Sequence, residues 1–228
     1  MTAPLVEQLG AFFTRANATL LGEAAWNTVM LTVLGCLAGL TLGFAIAFVR
    51  TSGSRWAAPA RFIAVVYVEI FRRIPFLVVL FLVLFTMQAF APMISSFVIA
   101  VIAISIVSTA FMAEIIRAGF TSVPRQQVEA AEVMNFSRWK IVQLVILPQA
   151  WKVILPPAIS FFVMLIKDTA LASQMGVLEL MFAGKTLSNR GHSSLIVFGT
   201  ILLIYFTMSW PLARLGKHLE IRLGGTKH

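Results

Sequence analysis

The residues able to do chemistry in this chain are few, and most sit at the edges of apolar runs. Glu69 is followed by Arg72 and Arg73, at the i,i+3 and i,i+4 intervals that bring side chains together on a helix face. Glu114 and Arg117 repeat the i,i+3 interval. Lys167, Asp168 and Thr169 close another apolar run, and Glu129 stands in the long polar loop between two runs. Charges in or beside a membrane are costly and are functional candidates by default. Other chemistry is missing from the pattern. His192, His218 and His228 fall in loops or the tail, without metal-ligand spacing. Cys36, the single cysteine, lies in an apolar run, which excludes a disulfide framework and a thiolate metal site. The sequence has no nucleophile elbow, zinc motif or phosphate loop.

The elements that must position these residues follow from composition. Hydrophobic residues make up 59% of the 228 and charged residues 12%, against roughly 45–50% and about 25% in soluble domains. A soluble globule could not cover its surface with so few charges, and a disordered chain needs low hydrophobicity. An all-α integral membrane protein remains. The net charge of +9 does not point to nucleic acid, because there is no run of five basic residues and no basic patch interleaved with aromatics.

A spanning helix needs about 20 mostly apolar residues. Ala24–Val49, Phe97–Ile116, Leu147–Ile166 and Leu195–Leu212 qualify. A fifth span lies in Phe62–Phe90, with Ile74–Phe90 as the crossing part and Phe62–Phe71 as a preceding helix at the cytoplasmic face. A continuous helix kinked at Pro75 is the alternative. With the N-terminus outside, five spans leave fourteen basic residues inside and four outside: Arg15, Lys167, Lys185 and Arg190. That bias predicts an outside N-terminus and an inside C-terminus. Residues before Ala24 lack a signal peptide's basic start, so the first span is expected to be retained. The expected division is an outside segment 1–23, a membrane domain 24–213 and a cytoplasmic tail 214–228.

The longest inside loop covers residues 117–146. Pro124 can open a helix there, and Gln127–Met134 is free of breakers. Val128, Ala131 and Met134 form one stripe and Glu129 and Glu132 another, which predicts a short amphipathic helix. Asn135 can end it in the left-handed conformation. Ser137 can cap a second helix running to Leu144, and Pro148 opens the next span. On composition alone this is a solvated hairpin.

Glu129-Ala130-Ala131, Asn135 and Val145-Ile146-Leu147-Pro148 resemble the EAA loop of binding-protein-dependent ABC importer permeases. Every interval fits; Asn135 stands at the family's Gly and Val145 at its Ile. Ala25-Trp26-Asn27-Thr28-Val29, Tyr67–Pro75, Ala113–Gly119, Leu147-Pro148-Gln149-Ala150 and Lys167–Ser173 resemble, in order, further segments of the polar amino-acid branch of that family.

The resemblance implies a type I ABC importer permease fold of five helices in the bacterial inner membrane. It implies an ATP-driven importer subunit for a polar amino acid or related solute, not an enzyme. The loop would couple to a separate ATPase through Glu129, Ala130, Ala131, Asn135 and Pro148. Glu129 would favour the helix dipole from the first turn, or pair with Arg125 or with a partner's basic residue. Implied partners are two ATPase subunits, a second permease (identical or homologous), an extracytoplasmic substrate-binding protein and membrane lipid. ATP and Mg would be held by the ATPase, with no cofactor on this chain. Glu69, Arg72, Glu114 and Arg117 are candidates for ion pairs at a gate or subunit contact, or for the substrate path. Lys167, Asp168 and Thr169 stand roughly 30 Å beyond Pro148, at about 1.5 Å per residue. They could meet an amino-acid zwitterion or a docked binding protein, pair with one another, or cap the following turn. A secondary transporter subunit is the alternative reading; it would be expected to show an ion-coupling carboxylate deep in a span or inverted repeats, and neither is evident.

Overall fold

The computed structural model describes residues 5–223; Met1, Lys227 and His228 lie outside the described residues. The described residues are helical, without a strand. Two short helices flank the first long one and its following loop: α1 (Leu5–Phe12), α2 (Arg15–Arg50) and α3 (Ala58–Phe71). Then come α4 (Phe76–Phe90), α5 (Ser96–Thr121), α6 (Arg125–Val133) and α7 (Arg138–Ile141). A π-helical turn at Val142–Ile146 leads into α8 (Leu147–Asp168) and a 3-10 segment (Thr169–Met175), followed by α9 (Leu180–Asn189) and α10 (Ser194–Arg222).

Four helical runs are long and apolar enough to cross a membrane: Arg15–Arg50, Ser96–Thr121, Arg138–Met175 and Ser194–Arg222. The pair α3 and α4, bent by 112°, is the fifth candidate. The kinked continuous helix is thereby excluded. Pro75, φ −57 and ψ 134, stands outside α4 as its N-cap residue, because proline has no N–H to continue the ladder from α3.

Two boundaries differ from the expected ones. The first long helix starts at Arg15 rather than Ala24, since no proline interrupts Arg15–Glu23, and its 36 residues reach about 54 Å. Pro148 does not open a span after a break at Leu144. The helical run is continuous from Arg138, and the π turn lies where the proline ring would meet the carbonyl of Leu144. The Leu147 N–H accordingly reaches back to Val142 O.

The chain forms two compact units, each assembled from three stretches. The first comprises residues 1–35, 75–104 and 163–211. Its core joins Phe12, Leu21 and Ala24 to Leu180, Leu187, Val197 and Ile201. The second comprises residues 36–74, 105–162 and 212–228. There α2 meets α5 closely: a Cβ on Gly43 would lie 2.8 Å from Ala113 N, and one on Gly39 2.9 Å from the Ser108 carbonyl carbon. Small residues let helix backbones approach where lipid supplies no hydrophobic driving force between helices.

Candidate functional site

The loop helix α6 is fixed at both ends by backbone chemistry. Its C-terminus is a Schellman motif: Asn135 N–H donates to Glu132 O at 2.9 Å and Phe136 N–H to Ala131 O at 3.1 Å. Closing it needs a left-handed residue, and Asn135 has φ 57, the one positive φ among the described non-glycine residues. Ser137 then caps α7, its hydroxyl accepting from Lys140 N–H.

Side chains tie this loop to the spans of its own unit. Arg138 donates to Thr51 Oγ1 at 3.1 Å and lies 5.3 Å over the Phe48 ring. Trp139 meets Phe44 and Phe48 edge-on. Gln149 Nε2 of α8 donates to Gln127 Oε1 of α6 at 2.6 Å. The loop is thus held to the end of α2 through α7 and to α8 through α6. Arg138, Trp139 and Gln127 had no assigned role in the sequence; only Gln149 lay in a recognisable motif.

The exposed face of α6 differs in part from the expected stripe. Ala131 is buried and Val128 half-buried, but Met134 is exposed, because the cap turns the chain away there. Val133 is 83% exposed and Ala130 is exposed beside it. Glu129 pairs with Arg125 at 2.7 Å on the same open surface. Because α6 begins at Arg125, Glu129 lies one turn inside the helix and not in its first turn, which removes it from the strongest part of the dipole.

The charge clusters regroup around Glu114. Arg117 lies at 2.6 Å, Arg50 at 2.7 Å and Arg72 at 3.8 Å, so residues from α2, the end of α3 and α5 converge on one carboxylate. Arg72 also sits 5.7 Å over the Phe111 ring. It does not join Glu69, whose partner is Arg73 at 2.6 Å on an exposed surface. Helical spacing had grouped Arg72 with Glu69, and had no means of finding Arg50, 64 residues from Glu114.

At the other site Lys167 is exposed, Asp168 half-buried and Thr169 buried. Among the described residues no ion pair joins Lys167 to Asp168, and the Asp168 side chain does not cap the 3-10 segment. Thr169 Oγ1 donates to Ile166 O at 2.7 Å, and Lys185 Nζ to Ser173 Oγ at 3.0 Å. Gly176, with φ 76, ends the segment.

A residue without a predicted role stands nearby. Glu179 is fully buried as the N-cap of α9. Its carboxylate accepts from Met181 N–H at 2.9 Å, Phe182 N–H at 2.7 Å and the Tyr205 hydroxyl at 2.9 Å. Burial nevertheless pushes its pKa above the ordinary value, against the lowering effect of those three donors. Asn27 Nδ2 donates to Leu178 O at 2.8 Å and Thr28 Oγ1 accepts from Leu180 N–H at 3.3 Å, so the Asn-Thr pair of α2 frames this cap.

Residues 39–223 match the family model described as binding-protein-dependent transport system inner membrane component. The chain is 36% identical over 205 residues to the L-cystine transport system permease protein TcyB of Bacillus subtilis, covering 90% of this chain and 86% of that protein. It is 33% identical over 206 residues to the glutamine transport system permease protein GlnP of Escherichia coli K12, covering 90% and 93%. Among solved structures, an amino acid ABC transporter with histidines aligns with TM-score 0.82 at 29% identity, over 97% of this chain and 100% of that one. The inward-facing MetNI methionine ABC transporter shares the fold, with TM-score 0.79 at 21% identity, over 93% of this chain and 100% of that one.

Proposed function

The chain belongs to the binding-protein-dependent transport system inner membrane component family, and from that premise we propose how it couples, faces and selects. It is a membrane-spanning permease subunit of an ABC importer, a transport subunit and not an enzyme, and carries no cofactor itself. An ATPase and a substrate-binding protein are the partners its family implies.

In the proposed reading two ATPase subunits, holding ATP and Mg, drive a pair of permease chains. The second permease is a copy of this chain or a homologue. The solute is a polar amino acid or a close relative, which the names of the cystine and glutamine permeases support. The N-terminus faces out and the C-terminus in. Glu129, Ala130, Ala131, Asn135 and Pro148 serve the coupling element. Glu69, Arg72, Glu114 and Arg117 hold the inner ends of the spans, and Lys167, Asp168 and Thr169 line the outer approach. The observation that carries the coupling role is the open face of α6: small Ala130 and apolar Val133 are exposed on a helix that is bonded to α8 and followed directly by α7, which is held to the end of α2. Exposed apolar residues on a rigid polar-loop helix suit a groove in a soluble partner.

Glu129→Lys tests it. The Arg125 pair is exposed, so losing it costs little stability. Facing a partner surface, the reversed charge acts at the contact, where a mismatched pair costs roughly 2–5 kcal/mol. The variant should reach the membrane at normal abundance, retain little ATPase on purification and lose transport. Glu7→Lys, on the exposed side of α1, is the control and should retain both. Full ATPase retention with normal transport in Glu129→Lys would overturn the coupling role.

A further inference from the structure

We propose that the groove between α2 and α3 binds one anionic phospholipid, with an acyl chain along its floor and the phosphate against Arg55 and Arg61. The groove encloses about 450 Å³ and is lined by Ile46 and Val49 of α2 and by Ala60, Ile63, Ala64 and Tyr67 of α3. Its width comes from the alanines, which leave space that no side chain of the protein fills. Tyr67 presents only its ring, because its hydroxyl donates to Ile106 O at 2.6 Å. Phe62, 71% exposed, continues the apolar surface outside the groove.

Charge identifies the occupant. Val49 and Ala60 lie at the end of the groove where the loop of residues 51–57 joins the two helices. From Arg50 to Tyr67 the sequence holds three arginines and no acid. Arg50 is engaged by Glu114. Arg61 donates to the Ser52 carbonyl, which holds the loop against the first turn of α3 and leaves its other N–H groups open. Arg55 is exposed, and its guanidinium has no partner among the described residues. Between them Trp56 is 95% exposed, the amphipathic ring that favours the headgroup level. A second permease chain would fill the apolar floor but leave two guanidinium groups unanswered. A zwitterionic lipid would answer them only in part. An anionic phospholipid satisfies the floor and the rim together, since basic residues flanking a membrane-buried surface attract anionic headgroups.

The inference rests on the chain being a membrane-spanning permease, and on neither its orientation nor the α6 contact. The experiment is native mass spectrometry of the complete transporter, exchanged with phosphatidylglycerol and phosphatidylcholine of identical acyl chains. The wild type should retain one phosphatidylglycerol per copy of this chain in preference to phosphatidylcholine. Arg55→Ala, at a position with no role in the fold, should weaken that preference about fivefold. Ala60→Phe should reduce retention of both lipids by filling the floor. Equal retention of the two lipids by the wild type, or an unchanged preference in Arg55→Ala, would overturn the site. So would a disulfide between two copies of Ala60→Cys in a Cys36→Ser background, which would seat a second permease there. ATPase retention, recorded on the same samples, separates failure of the lipid site from failure of the permease assignment.

Discussion

Glu179 sets two opposing effects on one carboxyl group. Three donors favour its charged form and burial opposes it, and burial prevails, so its pKa lies above the ordinary value. The folded state therefore holds the proton more tightly than the unfolded state, and the stability from this group falls as pH rises from the ordinary carboxylate range through the raised value. Thermal unfolding of the purified complex, followed upward in pH from the ordinary carboxylate range, should show this loss in the wild type. Glu179→Gln, which keeps one acceptor oxygen for the α9 N–H groups and carries no titratable proton, should lose that pH dependence. Parallel curves for the two proteins would show that the carboxyl does not titrate differently on folding. In the sequence Glu179 reads as an unremarkable charge outside the spans, because burial of a cap is decided by Tyr205 and Thr28, far away along the chain. Arg72 is the same lesson in reverse: the local interval offers Glu69, and the fold supplies Glu114.

At the scale of elements, punctuation residues were legible and the continuity between them was less so. Pro124, Asn135 and Ser137 mark the ends of α6 and the start of α7, as their backbone chemistry dictates. Pro75 breaks the chain between α3 and α4, yet Pro148 does not break it, because a π turn takes up the clash one turn earlier. Nothing in residue type separates these two prolines; the backbone bends by 112° at the first and takes a π turn ahead of the second. The cap of α6 gives the sharper prediction. Asn135 holds φ 57, where glycine is unstrained and a β-branched residue is at its worst. Asn135→Gly should keep transport at the wild-type level. Asn135→Val should strain the Schellman turn by roughly 1–2 kcal/mol and shift the direction in which α6 is presented, lowering transport and ATPase retention together. The two variants compared in one transport assay decide the matter, and equal transport would mean that the turn does not aim the helix.

Over the whole molecule the apolar runs point to four long helices and a fifth span, since a membrane leaves the backbone little alternative to the helix, while the break at Pro75 is one of two readings the runs allow. Their lengths were underestimated, because polar helix ends carry no hydropathy signal. That correction bears on orientation. α2 at about 54 Å exceeds the hydrocarbon thickness of about 30 Å, so its ends project beyond the apolar layer. α10 likewise carries Arg214, Lys217 and Arg222 in its last turns, past the apolar stretch that ends near Leu212. Placing these three in hydrocarbon would cost roughly 2.5–3.5 kcal/mol each at the centre of the bilayer, so the end of α10 stands in water on one side. If the chain crosses five times, the same side receives Arg50, Arg55 and Arg61 after α2, and the basic residues of the α5–α8 loop. With five crossings the chain then divides its basic residues fourteen to four, which favours the cytoplasm for the richer side. A reporter that is active only outside, fused ahead of Met1, should be active. A reporter that fluoresces only inside, fused after His228, should fluoresce. Both reporters on one side would mean an even number of crossings. The bent pair of α3 and α4 would then enter and leave by the same face, and the loop holding α6 could not share a side with Arg50, Arg55 and Arg61 after α2.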